Sequence, residues 1–434
     1  MSQTENTIKS GRILADGVVV SNDSSTTRLN NNDLVLGPSG SGKTRGYVMP
    51  NILQAEGSFI VTDTKGNLAR TLGPTLAERG YAVHYLDLAR FSLNSHIADG
   101  VTGIGYNPFD FIDRDPKTGR VSERDVMSMA HQLSPIENPD DIFWDRAAET
   151  LIAVLIGYVL DYLPACERNL SSLGVLAENL DSGVTADLLD ELVATDPEGF
   201  AARKWRMVRS EQKADKMYAS ICGIVAEKLN VLTFSDADAL YSAKHRLSFE
   251  ELATKRTAVF ITVSDTDRSM DRVVNLLYAQ ALQELCAIAD ANWPTSKLPV
   301  PVRLYLDDFA TNCTIADFDK IISVIRSRDL SVSVILQDYT QLVSSYGEFR
   351  AATIANNCDH WLYLGGQDVA TARKIAEKVS RTTDSILSMP LDRGFLLQRG
   401  AKALEVTPFD VSRHPLYRDP VQALDVPDQL SPAC

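Results

Sequence analysis

Residues 37–44 read GPSGSGKT, and no other stretch restricts so tightly what this chain can fold into. The pattern G-x-x-x-x-G-K-[ST] is a phosphate-binding loop, which works only between a strand and a helix. An apolar strand at 34–36 precedes it and a helical stretch follows. Gly37, Gly40 and Gly42 let backbone N–H groups approach phosphate oxygens that side chains would block. Pro38, Ser39 and Ser41 complete the cradle. Lys43 is placed to reach the β- and γ-phosphates, and the Thr44 hydroxyl to fill one octahedral position around Mg²⁺. The first N–H groups of the following helix aim at the same anion. ATP and Mg²⁺ are the expected cofactors. The competing reading, a flexible Gly/Ser turn that binds nothing, does not require the flanking elements.

Such a loop needs a second strand that ends in a carboxylate for the metal. RLYLDDFA at 303–310 has that form. Asp307 is the metal-side candidate, and Asp308 would face the attacking water as its base; a solvated strand end is the plain alternative. Gln337 follows the apolar run 332–336, where it either senses the γ-phosphate or caps the strand. Arg326 and Arg328, in IRSRDLS, either reach a neighbouring subunit's nucleotide as an arginine finger or end a solvated helix, where cations suit the dipole.

Short runs rich in β-formers at 58–62 and 82–86, separated by helical stretches, predict an α/β fold with a mostly parallel sheet flanked by helices. From 121 to 248 the strand signal nearly vanishes and apolar residues recur at helical spacing, which predicts an all-α insertion. Strand-like runs return at 258–263, 302–306, 332–336 and 361–364, with helices expected at 272–289 and 318–326. The nucleotide-binding unit is thus expected over 31–120 and 249–407. The insertion explains why Lys43 and Asp307 lie 264 positions apart. Residues 1–30 form a polar lead-in with one candidate edge strand at 18–20. Residues 408–434 carry five of the 18 prolines and form a tail that wraps the surface or stays mobile.

A net charge of −14 argues against a surface that coats nucleic acid, so any DNA contact must be local. One basic run, 203–216, holds Trp205 among six basic and two acidic residues; it meets DNA backbone or an acidic partner, or is a solvated helix face. The longest strongly apolar run, 151–160, is too short for a bilayer, which needs about 20 residues, and reads as a core helix. The first residues lack an export signal, and the six cysteines show no paired spacing. A cytoplasmic location is expected.

Several segments, in order, resemble one family: NNNDLVLGPSGSGKTRGYVMPNIL, SFIVTDTKGNL, YNPF at 106–109, DIFWDRAAETL at 141–151, LYLDDFATNCTIADFDKIISVIRSRDLSVSVILQD and ANNCDHWLYLGGQDVATARKIAEKVS. They look like the type IV secretion coupling proteins, the membrane-associated ATPases of bacterial conjugation. The resemblance implies a RecA-like motor fold, ring assembly, often hexameric, and ATP-driven delivery of a relaxase-bound DNA strand to a secretion channel. It places Asp63 and Lys65, in TDTKG, near the nucleotide or a subunit boundary, where a surface turn is the alternative. Two departures stand out. Family members usually carry transmembrane helices ahead of the loop, and 36 residues without an apolar span precede Gly37 here. Either a membrane-anchored partner would hold the chain at the cytoplasmic face of the membrane, or the chain is a soluble variant. The family usually has Glu where Asp308 stands, so slow hydrolysis is expected. A nucleotide-switched substrate receptor with little turnover, or a motor for protein effectors, are the alternative functions.

Overall fold

The computed structural model describes residues 10–93, 97–136, 142–211, 215–309 and 314–419. Its strands are β1 (Arg12–Ala15), β2 (Val18–Val20), β3 (Asp33–Leu36), β4 (Ser58–Thr62), β5 (Ala82–Asp87), β6 (Val101–Gly103), β7 (Thr257–Thr262), β8 (Val302–Leu306), β9 (Leu330–Leu336), β10 (His360–Tyr363), β11 (Gly394–Gln398) and β12 (Leu404–Val406). Ten of them form one sheet in the order β12-β11-β10-β3-β9-β8-β4-β7-β5-β6. From β10 to β6 every pairing is parallel; β11 and β12 add an antiparallel edge.

The central strands read as continuous apolar runs because both faces of the sheet are covered. Leu34, Leu36 and Ile60 point to one layer, shared with the long helix Asp271–Ala291; Val35, Phe59 and Val61 point to the other, shared with helices Met49–Leu53 and Leu68–Glu78. Between β6 and β7 the described elements are helical. Their axis is Phe143–Tyr162, in which Leu151 to Ile156 are fully buried, as expected of a helix apolar nearly all round. Apolar contacts run without a break from this block into the first layer. Among the described residues no helix is long and apolar enough to cross a membrane.

Three local expectations change. Residues 12–20 form a separate hairpin, β1–β2, in place of a single edge strand; the Asn51 amide clamps it by bonding both the N–H and the C=O of Ile13 at 2.8 Å. The helix expected over 318–326 is a short helix, Phe318–Ile321, and a separate tight turn, Ile325–Arg328. Part of the basic run is engaged within the fold, while Arg206 and Lys216 stay exposed. Trp205 is fully buried, its indole N–H donates to Asp190 at 2.7 Å, and Arg209 stacks on its ring. Residues 212–214 of that run lie outside the described residues, as do 1–9 and 420–434 of the two termini.

The described part of the tail packs over the helix that follows the loop. The Asp16 N–H donates to the Thr407 carbonyl at 2.9 Å, Arg413 pairs with Asp16 at 2.8 Å, and Arg418 pairs with Glu78 at 2.6 Å. Gly46 meets this strap so closely that a Cβ there would lie 3.1 Å from the Phe409 carbonyl oxygen.

Candidate nucleotide site

The C-terminal ends of β3, β9 and β8 lie side by side, with Leu36 opposite Leu336 and Leu306 opposite Val334. Each of the three strands therefore delivers its next residue to one edge. From β3 comes the loop 37–44, anchored where the Gly37 N–H donates to the Leu336 carbonyl at 3.1 Å. Gly40 and Gly42 sit at φ +79° and +88°, a conformation side chains disfavour. At Gly37 a Cβ would come within 2.5 Å of Ser41 Oγ. The helix opens with a wide π turn, Lys43–Val48, and continues as Met49–Leu53; such turns recur at functional sites.

Lys43 is folded back over the loop, its Nζ donating to the carbonyls of Gly37 at 2.6 Å and Pro38 at 3.2 Å. Burial lowers its pKa, opposed by the charges of Asp308 and Asp307. The Thr44 hydroxyl donates to Asp307 Oδ2 at 3.0 Å. Burial, with Asp308 beside it, pushes the Asp307 carboxyl up to about 6. The Asp308 N–H donates to Asp307 Oδ1 at 3.1 Å, and Asp308 itself holds φ +50°. That left-handed backbone costs on the order of 1–3 kcal/mol in a residue other than glycine. Gln337 lies on the same edge, and its N–H donates to the side chain of Gln341 at 2.9 Å.

Of the remaining candidates, Asp63 follows β4, which runs beside β8 with Val61 opposite Tyr305, and so stands at the same edge next to Asp307. Asp63 Oδ2 accepts the Leu68 N–H at 2.7 Å and so caps the start of helix Leu68–Glu78, while burial raises its pKa. Lys65 is exposed and lines a different cavity of about 530 Å³. Arg326 and Arg328 precede β9, at the opposite edge of the sheet. That strand of seven residues is roughly 23 Å long. Arg328 makes a two-pronged pair with Asp290 at 2.8 Å, whereas Arg326 is exposed and has no ion pair among the described residues.

One supporting group was not foreseen. Asp33, at the start of β3, is buried against Arg12 (2.9 Å), Arg303 (3.4 Å) and His360 (3.3 Å), and accepts the Tyr47 hydroxyl at 2.5 Å. Burial works against its charge, but Arg12, His360 and Arg303 outweigh it and hold the carboxyl well below the usual range. Tyr47 sits on the helix after the loop and thereby ties it to the sheet. The available signal was a charge at the first position of β3 and another near the start of β8, both in otherwise apolar strands.

These residues fit a nucleotide with its metal. The glycines leave an open cradle, Ser41 Oγ is buried without a hydrogen-bond partner, and Thr44 with Asp307 offers the hard oxygen donors that Mg²⁺ prefers.

The family described as Type IV secretory system Conjugative DNA transfer matches residues 1–389. The type IV secretion system-coupling protein VirD4 of Bartonella henselae is 22% identical over 375 residues, 84% of this chain and 55% of that protein. Protein VirD4 of Rhizobium rhizogenes is 23% identical over 355 residues, 81% and 49% respectively. The chain thus spans about half the length of the curated relatives it matches. Among solved structures, the bacterial conjugative coupling protein TrwBdeltaN70 in complex with sulphate superposes with a TM-score of 0.68 at 14% identity, covering 95% of this chain and 93% of that one. TrwB in complex with the non-hydrolysable ATP analogue ADPNP gives 0.65 at 14%, covering 95% and 92%. At these identities the structures establish a shared fold. The family match spans most of the chain, and the chain belongs to the conjugative DNA-transfer family of type IV secretory systems, the coupling proteins.

Proposed function

We propose that this protein binds and hydrolyses ATP as the motor of a conjugative coupling complex and delivers relaxase-bound DNA to the transfer channel. The observation that carries the reading is the 3.0 Å contact between Thr44 and Asp307, which joins the loop to the end of a distant strand. The TrwB complexes with ADPNP and with ADP and Mg²⁺ support the choice of cofactor. Lys43 leaves its two carbonyls to hold the β- and γ-phosphates, and the loop amides cradle the rest. Thr44 and Asp307 hold Mg²⁺. Bound there, the metal would neutralise charge on the phosphate oxygens. Asp308 accepts the proton of the attacking water, and Gln337, from the strand between, orients that water.

Arg326 is the arginine offered to a neighbour's nucleotide, since Arg328 is already engaged by Asp290. A ring, hexameric by family resemblance, would bring it there. Relaxase and a membrane-anchored channel component complete the assembly at the cytoplasmic face of the membrane. The test is ATP turnover with and without DNA, across protein concentrations that permit assembly. Absence of turnover under all of them sinks the motor reading.

A second reading is favoured by the short, left-handed Asp308: a nucleotide-switched receptor that binds ATP and scarcely turns over. A base misplaced by about 1 Å can cost a hundredfold in rate. Tight binding with negligible turnover, restored by Asp308→Glu, supports it; brisk wild-type turnover excludes it.

A further inference from the structure

Beyond the loop 37–44 the same sheet edge carries a second recess. The segments following β4, β5 and β7 enclose the cavity of about 530 Å³ that Lys65 lines, within the size range of small-ligand sites. Arg70 and Arg90 line it as well. All three cations are exposed, and none has an ion pair among the described residues. In a chain of net charge −14, three unpaired cations around one recess concentrate positive potential.

The position of Arg70 sharpens the point. It stands in the first turn of helix Leu68–Glu78, where the dipole is positive and a cation is unfavourable. A residue of that sign there is explained by an anion that both arginine and helix would hold. Two further observations describe a built site. Thr262, 7% exposed, sets its hydroxyl in the wall within hydrogen-bonding reach of the Tyr85 phenol. Arg90 is held by a tight turn in which Asp87 Oδ1 accepts the N–H groups of Ala89 at 3.1 Å and Arg90 at 2.9 Å. The acids of the wall do not cancel the cations. Asp87 is committed to that turn, and Asp265 lies on the loop after β7 with no ion pair to them.

We infer that this recess is a second phosphate-binding site, taking a phosphate ester of a nucleic-acid strand or of a small nucleotide through Arg70, Arg90 and Lys65. It is separate from the loop 37–44 and does not depend on hydrolysis there.

The experiment uses the full chain, wild type and Arg70→Gln/Arg90→Gln, each also with Lys43→Ala to silence the loop. A fluorescent single-stranded oligonucleotide is titrated by anisotropy at several salt concentrations, and pyrophosphate by calorimetry. If the strand is the ligand, the arginine variant binds the oligonucleotide at least tenfold more weakly, and the slope of log affinity against log salt falls by about 1.4 for two lost contacts. If a small phosphate ester is the ligand, pyrophosphate binding that survives Lys43→Ala disappears in the arginine variant. Thermal unfolding without ligand guards against a folding defect, because Arg70→Gln removes an unfavourable charge and should leave the melting temperature unchanged or raised. Unchanged binding of both probes overturns the inference. The loop reading is judged separately, by whether Lys43→Ala weakens ATP binding at least tenfold.

Discussion

Asp307 and Asp308 are neighbours in sequence, and the backbone turn at Asp308 directs its N–H onto the carboxylate of Asp307, 3.1 Å away, while the charges of both act on Lys43. One acid is thereby buried as a ligand and the other kept as a candidate base.

The first consequence is a pH dependence. Asp307 titrates near 6 in the folded chain, above its ordinary 3.8. The folded state therefore holds the extra proton between those values, and stability without metal falls as pH rises through that window, by on the order of 3 kcal/mol. Asp307→Asn should abolish the slope and be more stable than wild type above pH 6, as read by chemical denaturation. A wild-type profile flat from pH 4 to 7 would contradict this.

Metal binding must expel the same proton. At pH 6, loading with Mg²⁺ and nucleotide should release about half a proton per chain, and almost none at pH 8. Calorimetry in two buffers of different ionisation heat measures it directly.

Lys43→Ala should weaken ATP by roughly 10- to 150-fold, the loss of about 1.5–3 kcal/mol from a charge-assisted contact. Melting temperature should move little, because Lys43 bonds only the loop's own carbonyls.

Arg326→Ala should leave ATP affinity intact and reduce turnover of the assembled protein by about 10³ or more. Arg328→Ala should leave turnover alone and cost about 1 kcal/mol, since its partner Asp290 is half exposed to water. The reverse pattern would exchange their roles.

The buried set around Asp33 makes a separate demand. Asp33→Ala leaves Arg12 and Arg303 without their shared partner and should destabilise by about 3–5 kcal/mol. A loss under 1 kcal/mol would mean that Tyr47 and Ser333, which share a hydrogen bond at 2.8 Å, hold the helix unaided.

Local chemistry with a fixed spacing was legible in the sequence. The loop was readable because Gly37, Gly40 and Gly42 answer backbone demands that no other residue meets, and β4, β7, β8 and β9 because buried parallel strands are apolar without interruption. Features decided by long-range pairing were hidden. Nothing local pairs Arg12 with Asp33; only the hairpin β1–β2 brings one to the other. The separate turn Ile325–Arg328 is held where the N–H groups of Leu298 and Val302 donate to the carbonyls of Arg328 and Asp329, contacts no local pattern announces. The edge strand β12 escaped notice because it is only three residues long and two of its side chains face out. Asp63, identified through the resemblance, also accepts the Leu68 N–H at the start of a helix, a bond the resemblance did not announce.

The strand that carries the loop pairs only with β9 and β10. Both are made from the far end of the chain. A ribosome working at roughly 5–20 residues per second would have to extend the polypeptide for about 15 to 60 s after β3 emerges before either neighbour exists. A half-made molecule therefore has its glycine-rich turn but no neighbouring strand to hold it, so nucleotide capture waits until β9 has been made.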